Sequence, residues 1–130
     1  MGGGTIIPDD IRRFILTSIP SVPYLEAMLL LRNETAAPWD STRLAQRLYL
    51  SDKAAAALLA ELHEAGVVVE DVHQSGSFRF EPSSESLRDM IDTLARAYAM
   101  HLVEVTHLIH SKTGRKAMQF ADAFKWRKDS

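Results

Sequence analysis

STRLAQRLYLSDKAAAALLAELHEAGVVVEDVHQSGSFRF, residues 41–80, is the stretch whose reading decides the fold. Leu44, Ala45 and Leu48 fall at helical spacing behind a cap at Asp40 or Ser41. Tyr49-Leu50-Ser51 reads as a turn, with Ser51 as N-cap of a second helix running from Asp52 to about Ala65. Ala55, Leu58, Leu59 and Leu62 share one face of that helix, and Gly66 falls where a left-handed C-terminal cap belongs. Val67-Val68-Val69 then leads through Val72 to a polar turn at Gln74-Ser75-Gly76-Ser77, and Phe78-Arg79-Phe80 returns with strict alternation. Such a hairpin is too small to stand alone and must lie on the helices.

Upstream, Pro8-Asp9-Asp10 opens a helix carrying Ile11, Phe14 and Ile15, since proline has no N–H to strand at a helix start and acids suit the positive dipole end. Pro20 stops it. Ser21 can cap a second helix with Leu25, Met28 and Leu29, residues 33–38 read as a loop, and Trp39 is expected to plug into the core. Downstream of Pro82, Ser83 or Ser84 caps a long helix in which Leu87, Ile91, Leu94, Tyr98, His101, Val105 and Leu108 recur at alternating steps of 4 and 3. That is the seam spacing of a coiled coil. Thr113-Gly114 ends it, and a last amphipathic segment places Phe120, Phe124 and Trp126 among basic residues.

With 130 residues, 46% hydrophobic and 25% charged, the chain suits one globular domain with an appendage. The lack of cysteine removes disulfides, thiolate metal sites and cysteine nucleophiles. No apolar run reaches the roughly 20 residues that span a bilayer, and the glycines after Met1 do not resemble a secretory signal, so the expected location is cytoplasmic. The net charge of −2 is unevenly spread: residues 40–81 carry four positive and seven negative side chains, and residues 112–130 carry six positive and two negative.

The run from Leu44 through Ser51, Leu58-Leu59, Leu62 and Gly66-Val67-Val68, followed by a hairpin, resembles the winged helix-turn-helix superfamily, including the MarR-like and related small bacterial transcription regulators. The resemblance covers about half the chain and assigns no specific family. It implies a mainly α protein with a small β-hairpin wing. The expected layout is a leader at 1–8, the winged helix-turn-helix domain at 9–82 and a helical extension at 83–130, with a long helix 84–111 and a short basic helix 115–128.

In such regulators the helix after the turn enters the major groove, and its outward side chains read base edges. Here the outward stripe is Lys53, Ala57, Ala60 and Glu64, flanked by Ala56 and Glu61. One donor among alanines and acids makes a poor reader of a polyanion. What remains for DNA is led by phosphate: Thr42, Arg43, Gln46 and Arg47 on the preceding helix, Ser51 and Lys53 at the turn, and His73, Gln74, Ser75, Ser77 and Arg79 on the wing. Turn chemistry alone also explains the wing residues, and a solvated helix face also explains the two arginines. A smooth alanine face serves a protein partner equally well, so duplex DNA and a protein stand side by side as expected partners.

The seam from Leu87 to Leu108 needs a cover, because each buried aliphatic side chain is worth roughly 1.5–3 kcal/mol. Either the helix folds back on its own chain or, the favoured expectation, it pairs in a homodimer together with Phe120, Phe124 and Trp126. Signals for chemistry are weak. Glu104 and His107 form one Glu-x-x-His step where a di-metal site needs two, Ser51-Asp52 is a cap rather than a nucleophile pair, and no phosphate-cradling loop is present. The expectation is a non-enzymatic protein with no metal and no cofactor.

Overall fold

The computed structural model describes residues 7–111. Helix α1, Asp9–Ser18, starts behind Pro8, whose carbonyl accepts the Arg12 N–H at 2.9 Å, and carries Asp9 and Asp10 in its first turn. Ile7, Ile11, Ile15 and Ile19 recur every fourth residue and all are buried. Helix α2, Val22–Asn33, buries Tyr24, Leu25, Ala27, Met28, Leu29 and Leu31, nearly its whole circumference, as a central helix does. Burial pushes the Tyr24 phenol up from its ordinary pKa, with the charge of Glu61 adding to the effect.

Asp40 caps helix α3, Ser41–Leu48, by accepting the Arg43 N–H at 2.8 Å, which decides between the two candidate caps. Ser51 caps helix α4, Asp52–Glu64, through the Ala54 N–H at 3.1 Å. These helices pack on each other. Leu44, Leu58, Leu59 and Leu62 are buried beneath them, and Leu48 is half-buried. Gly66 takes φ +78, a conformation that favours glycine, and a Cβ there would meet the Ser83 hydroxyl oxygen at 2.8 Å, so that side chain would have to move.

Strands β1, Val68–Glu70, and β2, Phe78–Phe80, pair antiparallel with Val69 opposite Arg79. Trp39 adds a bridge on the other side of β2, exchanging two 2.8 Å backbone bonds with Phe78, while its indole N–H reaches the Glu34 carbonyl at 2.9 Å. Val72 does not continue the first strand as its sequence position suggested. The Asp71 N–H still donates to the Ser77 carbonyl at 2.7 Å in register with the ladder, but its carboxylate takes the His73 N–H, so the chain turns there and leaves Val72 88% exposed.

Ser84 caps helix α5, Glu85–Met100, by accepting the Leu87 N–H at 3.1 Å. The single long helix expected over 84–111 is divided at His101, and residues 102–111 form a separate helix, α6. The division follows the burial pattern. Ile91 and Leu94 are buried in α5, but in α6 the buried pair is Val105 and Ile109, four apart as a straight helix requires, while Leu108 of the 3.5-residue seam is only half-buried.

Within the described residues two compact units are distinguishable. One comprises 23–95, with α2, α3, α4, the hairpin and most of α5; the other combines 7–22 with 96–111. The described residues are mainly helical with one small antiparallel sheet, an arrangement compatible with a winged helix. No single helix among the described residues is long and apolar enough to cross a membrane. The expected leader over residues 1–6 and the basic helix 115–128 lie outside the described residues.

Candidate functional site

The helix-turn-helix pair and hairpin bring most of the sequence-derived contact residues into the 23–95 unit, and the structure shows what already occupies them. Thr42 and Gln46 are exposed on α3. Arg43 is turned back on its own chain: its guanidinium lies 3.6 Å over the Trp39 ring, and Nη1 donates to the Ala37 and Pro38 carbonyls at 3.0 and 3.1 Å. Arg47 makes a fork of two 2.6 Å hydrogen bonds to the Glu34 carboxylate, a bidentate geometry that suits guanidinium and carboxylate. That hydrogen bonding holds the Glu34 carboxyl below the usual carboxylate range and raises Arg47 correspondingly.

The hairpin repeats this pattern. Arg79 Nε donates to Asp71 at 2.6 Å, and the Asp71 carboxylate also accepts the His73 N–H at 3.0 Å. The Arg79 hydrogen bond, aided by the His73 and Gln74 backbone amides, holds the Asp71 carboxyl below its ordinary range. Glu70 closes the turn by accepting the Gly76 N–H at 2.9 Å. His73, Gln74 and Ser75 stand exposed, whereas Ser77 is buried with its hydroxyl 3.5 Å from the Gln74 amide oxygen. Ser51 is engaged as the α4 cap, and Lys53 is exposed in the first turn of that helix.

Sequence reading missed Asp71 as the organiser of the hairpin. Its signal was an aspartate directly before a loop, the position where a carboxylate accepts the amide two residues on.

The exposed side of α4 presents Ala56, Ala57, Ala60, Glu61 and Glu64. Residues 23–95 hold six Lys and Arg against twelve Asp and Glu, a net of −6 with histidine neutral. Five of those six cations are engaged inside the unit: Arg43, Arg47 and Arg79 as described, Arg32 with Asp92 at 2.8 Å, and Arg88 with Glu85 at 3.6 Å. Lys53 is the sixth.

Of the residues expected at a dimer seam, Ile91, Leu94 and Val105 are buried within the single chain, and Leu87, Tyr98, His101 and Leu108 are half-buried. The large apolar side chains that α5 and α6 expose are Met100, Leu102 and Val103, at 76%, 53% and 61%. Phe120, Phe124 and Trp126 lie outside the described residues. No group of three or more His, Cys, Asp or Glu side chains among the described residues could hold a metal ion.

No protein-family model matches the chain, and no characterised protein matches its sequence. Among solved structures it is similar to RV1404 from Mycobacterium tuberculosis, with a TM-score of 0.51 and 13% identity over 89% of this chain and 83% of that one. It is also similar to a possible transcriptional regulator from Methanosarcina mazei Go1, with a TM-score of 0.46 and 19% identity over 73% of this chain and 82% of that one. The first likeness concerns the fold alone, and the second is too distant to bear on function.

Proposed function

We propose that this chain is a non-catalytic winged helix-turn-helix protein of the transcription-regulator type, whose helix-turn-helix unit docks another protein. The observation that carries this reading is the state of its cations. A phosphate-led DNA interface needs arginines aimed at solvent. Here Arg43 faces Trp39 and two carbonyls, Arg47 faces Glu34 and Arg79 faces Asp71. What α4 offers outward is a small, smooth alanine surface edged by Glu61 and Glu64, which repels a polyanion and admits close helix packing.

The test is duplex binding measured at low salt by fluorescence anisotropy. The expected result is no binding above that of an acidic control protein, with Arg43→Ala lowering thermal stability rather than a DNA affinity. Tight duplex binding that weakens steeply with salt would overturn the reading.

Phosphate-led DNA contact remains the second reading, favoured by one observation. The Arg47–Glu34 pair is exposed on both sides, at 45% and 41%, and an exposed pair is held by only about 0–1 kcal/mol. Arg47 could therefore exchange Glu34 for a phosphate. Under this reading Arg47→Ala shallows the salt dependence of duplex binding by about one counterion.

We further propose a homodimer, on the grounds that Met100, Leu102 and Val103 are large apolar side chains left exposed near the α5–α6 break. Light scattering across a concentration series checks it, and a Leu102→Glu variant that remains dimeric would exclude that surface as the contact.

A further inference from the structure

Tyr49 stands between α3 and α4 at φ +57, ψ +46, the left-handed region, and it is the one non-glycine residue there among the described residues. Glycine takes this conformation freely, whereas a tyrosine brings its Cβ against the following carbonyl. The side chain is 94% exposed, so core packing does not offset that strain. Yet the backbone beneath it is fixed. The Tyr49 and Leu50 N–H groups both donate to the Ala45 carbonyl, and Ser51 caps the next helix. An observed backbone outlier licenses a hypothesis of function, and a rigidly mounted, solvated aromatic has the form of an interface anchor.

The surroundings select the partner's chemistry. Tyr49 belongs to the unit with a net charge of −6. Arg47, two residues before it, is already matched by the Glu34 carboxylate. Asp52, three residues on, is exposed. Lys53 beside Asp52 is also exposed, so a phosphate would meet that one cation against the net acidic field of the unit, whereas a cation gains both the field and the face of the ring.

We propose that Tyr49, at the α3–α4 elbow, anchors a lysine- or arginine-rich segment of a partner protein, with a basic side chain lying over its ring and Asp52 as counter-charge. This rests on the protein-docking reading above and adds to it the anchor residue and the chemistry of the partner.

The experiment is an NMR titration of the full chain with a short Lys/Arg peptide, a Glu-rich peptide of equal length and a short duplex. The expected result is binding of the basic peptide with shifts centred on Tyr49 to Asp52. Tyr49→Gly should weaken it about tenfold without lowering the melting temperature, because glycine suits the backbone. Tyr49→Phe, which keeps the ring, and Val72→Ser, at another exposed apolar side chain, should bind as the parent does. Equal affinity in Tyr49→Gly overturns the anchor while leaving protein docking intact, as do shifts scattered over the acidic surface. Absence of peptide binding overturns the basic partner. Duplex binding tighter than peptide binding overturns the docking reading itself.

Discussion

Gly66 and Asp71 flank β1 and show how single residues fix the geometry of the hairpin. At Gly66 the backbone sits at φ +78 with the Ser83 side chain against the place of a Cβ, while Ser83 N–H donates to the Gly66 carbonyl at 2.8 Å. Gly66→Ala should therefore destabilise the fold by about 1–2 kcal/mol, read as a lower urea midpoint at unchanged slope. Asp71 acts through charge. Its carboxyl is held below the ordinary value of about 3.9 in the folded protein, chiefly by Arg79. A carboxylate with a lowered folded pKa contributes stability that is fully present above its unfolded value and lost as pH falls through the folded one. Below about pH 4 the amide protection of residues 71–79 should thus decay first. In Arg79→Ala the folded carboxyl titrates nearer its unfolded value, so the hairpin should be weaker at neutral pH and lose less protection as pH falls, and a hairpin titrating identically in both proteins would refute the assignment.

Among the elements, α3 and α4 owe their starts to single side chains. The Asp40 and Ser51 caps each satisfy one of the amides that a helix start leaves without an intrahelical partner. Ser51→Ala should cost about 1 kcal/mol, and Ser51→Asp should restore most of it, as measured by chemical denaturation. The Ser51 cap was legible in the sequence, and Asp40 stood there as one of two candidates, because capping is local: acceptor and donor lie three residues apart. The fate of Val72 was not legible, since four residues after Val68 it falls on the face a continuing strand would share with that valine. The chain turns away where the Asp71 carboxylate accepts the His73 N–H. The break at His101 was hidden for a similar reason. A 3.5-residue repeat and two straight helices meeting at a break place apolar residues at nearly the same positions, and burial of Ile109 rather than Leu108 separates them.

For the molecule as a whole, stability rests on the leucines shared by α3 and α4 and on the buried face of α2. Leu62 is fully buried, and Leu62→Ala should lower stability by about 2–5 kcal/mol, enough to leave a marginal domain partly unfolded. Equilibrium unfolding in urea checks this, and a change below 1 kcal/mol would mean that the site collapses around the smaller side chain.

The first four helices, the start of the fifth, the hairpin and the leucine core were determined by the sequence alone, because period, capping and turn chemistry act over a few residues. The pairing of the arginines was decided only by the tertiary structure. Glu34 and Arg47 lie 13 residues apart, Asp71 and Arg79 lie 8 apart, and Arg32 and Asp92 lie 60 apart. No local rule reveals which acid a guanidinium will face, because those distances are set by how the elements pack. The same packing leaves Tyr49 outside the core, although an aromatic residue beside Leu48 and Leu50 gives no such sign in the sequence.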